Sequence, residues 1–155
     1  MARMRVALAA DHAGYKLKNI LVAEVKKQGC EALDLGTHCQ EPSDYPDFAE
    51  AVAKALLEAR ADRGILVCGS AVGVSVAANK FCGIRAGVCH DTYSARQGVE
   101  HDDVNVLCLG ERVIGVELAR ELVKAFLSAR FQGQERFARR LKKIEAIESR
   151  TMKKE

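Results

Sequence analysis

The chain predicts a three-layer α/β/α sandwich built on a five-stranded parallel sheet, with an extended helix at its C-terminal end. Three observations carry this. Short apolar runs of strand length alternate with segments of helical period throughout the 155 residues. Each run is followed by a helix rather than a two-residue turn, which demands crossover connections and parallel pairing. Apolar residues make up 48% and charged residues 29%, with only two prolines, the balance of a single globular domain. The arrangement is Rossmann-like.

The elements follow in order. Arg5–Ala10 reads as the first strand, and Gly14–Gln28 as a helix with Leu17, Ile20, Leu21 and Val25 on one face and Gly29 as its stop. Ala32–Leu35 is a short second strand, and Gly36–Asp44 a polar loop carrying His38, Pro42 and Ser43. Pro46 suits the first turn of the next helix, with Phe48, Val52, Ala53, Leu56 and Leu57 inward. Ile65–Val67 is the third strand and Val74–Lys80 a short helix. Ile84–Cys89, Thr92–Glu100 and Val104–Leu109 read as strand, helix and strand. Ile114–Ala129 and Glu135–Ser149 are two amphipathic helices. Residues 1–155 form one domain, without repeat or linker.

In a parallel sheet every strand's C-terminal end lies on one edge, where ligands bind near the switch in strand order. Asp11 and His12, Cys68 to Gly73, His90 and Asp91, and Glu111 and Arg112 are therefore expected in one crevice. Cys68 has the most informative position. It ends a strand, precedes the small residues Gly69, Ser70, Ala71 and Gly73, and lies beside a helix start. Unpaired N–H groups and the positive end of a helix favour an anion, a thiolate included. The stretch lacks the Gly-Lys-Ser/Thr ending of a P-loop, fails Gly-x-Gly-x-x-Gly at Ala71, and has no arginine before Arg85 to serve a thiol phosphatase. What remains fits abstraction of a carbon-bound proton, with backbone donors stabilising an enediolate.

The other candidates are less specific. Asp11 either caps the next helix or accepts sugar hydroxyls, and Ser70 either caps or touches substrate. His101 and Asp102 fall at the opposite edge of the sheet, so they are structural or serve another subunit's site. Arg136 and Arg140 share a helix face and could grip a phosphate in forked hydrogen bonds, or simply be solvated. Net charge is +3. Residues 134–155 hold eight Lys/Arg against four Asp/Glu, which leaves the rest of the chain close to neutral. That tail lacks an aromatic platform beyond Phe137, which argues against nucleic acid. The six cysteines contain no C-x-x-C pair and match no zinc spacing. No apolar run approaches membrane-spanning length, and the apolar segment Val6 to Ala10 is too short for a signal peptide. The expectation is a cytoplasmic protein with reduced thiols and no metal.

The segments Asp11-His-Ala-Gly14, Asp44-Tyr-Pro46, Gly64-Ile-Leu-Val-Cys-Gly-Ser70, Ala77-Ala-Asn-Lys80, Gly83-Ile-Arg-Ala86, Asn105-Val-Leu107 and Gly110-Glu-Arg-Val113 together resemble the type B ribose-5-phosphate isomerases. These are grouped with the galactose-6-phosphate isomerase subunits. The resemblance spans nearly the whole chain. It implies a cofactor-free aldose–ketose isomerase for ribose 5-phosphate and ribulose 5-phosphate. Cys68 would be the base, Gly69, Ser70, Ala71, Val72 and Gly73 the anion hole, and Ser70 an aid to proton movement. His101 would open the sugar ring. Asp11, Tyr45 and Asp102 would hold the sugar, and His12, Arg112, Arg136 and Arg140 the phosphate. The site would form between the subunits of a homodimer, within a dimer or a tetramer, away from nucleic acid and membrane. A six-carbon phosphate such as allose or galactose 6-phosphate, or a non-catalytic phosphosugar module, are the alternatives.

The chain departs from the family pattern in three places. Asp102 stands where an asparagine is usual, adding charge and removing amide donors. Ala71 replaces a usual glycine, so a positive φ there would strain it or shift the loop. The tail has Phe137 where a histidine is common, leaving Arg139 as a competitor for the phosphate.

Overall fold

The computed structural model describes residues 2–152; Met1 and residues 153–155, which the single-domain reading and the tail charge include, lie outside the described residues. Five strands form one parallel sheet: β1 (Arg5–Ala10), β2 (Glu31–Asp34), β3 (Arg63–Cys68), β4 (Ala86–Val88) and β5 (Val106–Gly110). The helices are α1 (Tyr15–Lys27), α2 (Tyr45–Leu57), α3 (Val72–Ala78), α4 (Thr92–Asp102), α5 (Val116–Ser128) and α6 (Glu135–Thr151). A 3-10 turn, His12–Gly14, joins β1 to α1.

Strand residues alternate between two cores, as a period of two requires. Val6, Leu8, Ala10, Ile65, Val67, Leu107 and Leu109 face the layer that includes Leu21, Val99 and Phe126 of α1, α4 and α5. Ala7, Ala9, Leu66, Cys68, Val106 and Cys108 face Val52, Ala53 and Val74 of α2 and α3. The near-continuous apolar strands thus follow from burial on both faces. At the start of β3 the Arg63 guanidinium donates to the carbonyls of Phe126 and Ala129, closing off the end of α5.

Strand order is β2-β1-β3-β5-β4. The chain leaves β1 toward β2 and returns to place β3 on the other side of β1, so the order reverses between β1 and β3. Their C-terminal ends, Ala10 and Cys68, flank that reversal, where open parallel sheets bind ligands. β5 lies inside β4 and pairs directly with β3, Cys68 beside Gly110.

Element boundaries shift from expectation by a residue or two at most ends, and two of these shifts have a local cause. β4 covers Ala86–Val88 rather than Ile84–Cys89. It is an edge strand, and the Arg85 N–H is taken by the Asn105 side chain instead of a ladder partner. α3 begins at Val72 rather than Val74 because the loop turns at Ala71, which adopts φ 73° and ψ −15°. That is the left-handed region, which costs an alanine roughly 1–2 kcal/mol relative to its usual backbone. The methyl group is fully buried against the α2/α3 core.

α6 is held at its ends. Phe137 is 2% exposed, and its burial contributes about 1.5–3 kcal/mol. Further along, Glu148 accepts from the Gly83 N–H at 2.7 Å. Ile144 and Ile147 remain exposed between these contacts.

Candidate active site

The strand-order reversal opens into a cleft of about 380 Å³ lined by Asp11, His12, Ala13, Tyr45, Cys68, Gly69, Ser70, Gly73, Arg112 and Val113. Each side chain is placed by its element. Asp11 follows β1, and its Oδ1 accepts from the N–H groups of Ala13 and Gly14 at 3.0 and 3.2 Å. Asp11 therefore caps the turn while lining the cleft, so the two readings of this residue are compatible. His12 is pinned from the loop before α2: its N–H donates to Ser43 Oγ at 3.1 Å, and its Nδ1 accepts from the Ser43 N–H at 3.1 Å. In the neutral ring this leaves the proton on Nε2.

Cys68 closes β3 and is 4% exposed. Its Sγ receives the Ala71 N–H at 3.2 Å. The Val72 N–H donates to Ser70 Oγ at 3.2 Å, so the Ser70 hydroxyl accepts a capping bond at the start of α3. Two of the five residues expected to supply anion donors thus spend their N–H groups inside the loop. Val72 also points outward, 58% exposed. Among the described residues, the N–H groups of Gly69, Ser70 and Gly73 have no acceptor in the chain.

Close approaches shape the walls. A β-carbon added to Gly110 would lie 2.8 Å from the Ser70 carbonyl carbon and 3.0 Å from the Gly69 oxygen, so β5 supports the loop directly beneath Cys68 and Ser70. One added to Gly73 would lie 2.7 Å from Tyr45 Cζ, which places the tyrosine ring flat against the start of α3. The Glu111 and Arg112 N–H groups donate to the Cys68 and Gly69 carbonyls at 2.9 and 3.1 Å. The Arg112 side chain passes over Gly69.

The expected crevice is narrower than the sequence implied. Glu111 is turned to α1, where Oε1 accepts from the Leu17 N–H. His90 and Asp91 follow β4, one strand further out. His90 Nε2 accepts from the Gly110 N–H at 3.0 Å, and Asp91 caps α4 through the Ser94 N–H. Burial lowers the His90 pKa, which suits the bare acceptor nitrogen. These residues brace the site without lining it.

A second cluster lies away from the cleft. His101 ends α4, upstream of β5 and hence toward the other edge of the sheet. Its ring stacks on Phe137 with centroids 3.9 Å apart and an angle of 17°. Its Nδ1 lies 3.0 Å from the Gln97 amide nitrogen. The Arg136 guanidinium lies 4.6 Å from the centre of the Phe137 ring. Arg140 follows one turn later, whereas Arg139 is occupied by Glu135 at 2.7 and 2.9 Å. Among the described residues no carboxylate pairs with Arg112, Arg136 or Arg140. Asp102 sits beside His101 and lines no part of the Cys68 cleft.

Sequence reasoning missed the supports: Ser43 on His12, Gln97 on His101, and Lys18. Lys18 is fully buried and donates to both oxygens of Asp34 at 2.9 and 3.0 Å. Its spacing on α1, three residues before Leu21 and seven before Val25, was the available signal. Among the described residues no group of three or more His, Cys, Asp or Glu side chains could hold a metal ion. No helix among them is long and apolar enough to cross a membrane.

Comparison with known proteins agrees with this architecture. The profile of the Ribose/Galactose Isomerase family matches residues 6–144. Ribose-5-phosphate isomerase B of Escherichia coli is 47% identical over 146 residues, covering 94% of this chain and 97% of that protein. The D-erythrulose-4-phosphate isomerase of Pectobacterium atrosepticum is 40% identical over 134 residues, covering 84% and 86%. The solved structure of Clostridium thermocellum ribose-5-phosphate isomerase B superposes with a TM-score of 0.92 at 48% identity, covering 95% of this chain and 99% of that one. With five parallel strands, a cleft at the β1/β3 reversal and these relatives, the chain belongs to the ribose/galactose isomerase family and is a sugar-phosphate isomerase of the aldose–ketose type.

Proposed function

We propose that the chain interconverts ribose 5-phosphate and ribulose 5-phosphate, in a site that a second copy of the chain completes. The observation that carries this is the separation of two incomplete clusters. One holds a cysteine beside free backbone donors; the other holds a histidine beside two unpaired arginines. A furanose phosphate needs both.

In this reading His101 of one copy reaches the Cys68 cleft of the other. The C1–O4 bond breaks as the ring oxygen gains a proton and O1 loses one, with His101 giving up the first and recovering the second. Cys68, as thiolate, then takes the C2 proton. The electron pair becomes the C1–C2 double bond, and negative charge collects on O1 within reach of the free N–H groups of Gly69, Ser70 and Gly73. Ser70 passes the O2 proton to O1. Cys68 returns its proton to C1, giving the ketose and regenerating the thiolate. No atom or electron is exchanged with any other reactant. Asp11 and Tyr45 bind hydroxyls, and Asp102 approaches the sugar through its carboxyl group. His12, Arg112, Arg136 and Arg140 bind the phosphate.

Turnover of ribose 5-phosphate and allose 6-phosphate, compared at matched concentration in chelator, tests the substrate. Preference for the six-carbon sugar would mean that Asp102 and the Ala71 loop have retuned the pocket. Mixing Cys68→Ala with His101→Ala after partial unfolding tests the shared site. Each mixed dimer contains one intact site, so about a quarter of wild-type activity should return for random pairing in a two-fold dimer. Absence of any recovery would sink the shared site.

A further inference from the structure

We propose that Gln97 and Phe137 are the positioning residues of His101, fixing Nε2 as the nitrogen that acts on the substrate. This rests on the catalytic reading of His101. Three contacts support it. Gln97 and His101 stand one turn apart on α4, and the amide meets Nδ1 at 3.0 Å. That leaves Nε2 as the free nitrogen. The amide can keep this contact in both protonation states, because its NH2 group donates to bare Nδ1 and its oxygen accepts from Nδ1–H. When Nε2 of the imidazolium gives up its proton during ring opening, Nδ1 keeps its own, so the amide oxygen can hold Nδ1–H through both halves of the cycle while Nε2 loses and regains the proton.

Phe137 fixes the ring plane. It is 2% exposed, and its face lies on the imidazole at 3.9 Å with only 17° between planes. Gln97 removes rotation about the side-chain axis and Phe137 removes tilt, so together they define where Nε2 points. The same phenyl ring carries the Arg136 guanidinium at 4.6 Å. Through this ring, the base of the α6 arginines and the histidine become one rigid unit. A hydrophobic residue thereby serves the site where the family pattern commonly has a histidine: a ring face is supplied without a second titrating group.

The test uses Gln97→Met, which keeps length but cannot hydrogen-bond, and Phe137→Leu, which keeps an apolar side chain but no ring face. Phe137→Tyr is the conservative control. Both disrupting variants should lower kcat with ribose 5-phosphate about tenfold or more. Gln97→Met should keep KM within about twofold and the melting temperature little changed, whereas Phe137→Leu, which also removes the ring under Arg136, should raise KM and lower the melting temperature by a few degrees. Phe137→Tyr should recover most of the loss. Nitrogen–proton correlation spectra, with His101 assigned by its disappearance in His101→Ala, should show one tautomer in the native protein and a mixture in Gln97→Met. An unchanged His101 spectrum in Gln97→Met, or native kcat in both disrupting variants while His101→Ala is impaired, would overturn this inference alone. Native turnover in His101→Ala would overturn the catalytic reading of His101 and this inference with it.

Discussion

Replacing Gly110 by alanine should displace the Cys68–Gly73 loop from behind. The new β-carbon would stand 2.8 Å from the carbonyl carbon of Ser70 and 3.0 Å from the oxygens of Gly69 and Ser70. Ordinary contact at that point is about 3.4–4 Å, so some 0.6 Å of movement is required. It cannot come from β5, which is fully buried and paired with both β3 and β4. It must come from the loop that carries the Cys68 thiol and the free N–H groups. Overpacking of this kind costs about 1–3 kcal/mol. For a domain of this length that is a fall in melting temperature of about 2–12 °C. The activity loss should be larger than stability alone explains, because a displacement approaching 1 Å costs on the order of a hundredfold. Urea titration and kcat/KM with ribose 5-phosphate, both at a temperature where the variant is fully folded, separate the two effects. A folded Gly110→Ala protein with kcat/KM within twofold of the native value would refute the claim that β5 sets the loop's position.

Further outcomes follow from the same geometry. Gly73→Ala should leave stability unchanged or improved, since alanine is the better helix former by about 1 kcal/mol and the half-exposed Tyr45 ring can swing aside. KM should rise several-fold because the ring leaves the cleft wall, and an unchanged KM would remove Tyr45 from the binding surface. Cys68→Ala should lose at least about a thousandfold in kcat while isothermal titration still detects substrate; turnover near the native rate would end the role of Cys68 as base. Arg136→Ala and Arg140→Ala should each raise KM about tenfold or more, whereas Arg139→Ala, which loses only an exposed pair with Glu135, should change it less than twofold. Asp34→Ala should destabilise the fold by about 3 kcal/mol, because it leaves Lys18 buried and unpaired. Burial alone would raise the Asp34 pKa, but hydrogen bonds from Lys18 and the Gly36 N–H outweigh it and hold it below the usual value. Its contribution is therefore complete above the unfolded pKa of about 3.9 and fades as pH falls through the lower folded one. The stability gap between native and Asp34→Ala protein, followed by urea unfolding from pH 7 to pH 3, should narrow only at the acid end.

The local sequence determined the elements and the chemistry on offer. Apolar runs of strand length, helical periods and the Pro46 and Gly29 boundaries depend on neighbours a few residues apart, so β1 was legible to the residue and the others to within a few. The position of Cys68 at a strand end, followed by small residues, was legible for the same reason. The conflict at Ala71 came instead from the family resemblance, and the structure places that alanine at a positive φ. Strand order was not legible, because it depends on which crossover packs beside which. Putting β5 inside β4 brings Arg112 and Val113 to the cleft and sends His90 and Asp91 to bracing work behind it. Long-range contacts decided the rest: the Ser43 grip on His12, the Gly110 floor under Ser70, and the seating of Phe137 on His101, 36 positions apart in the chain. Spacing along a chain predicts what lies within a turn or a pleat, but these contacts exist only once two buried sheet faces have fixed which helices lie side by side.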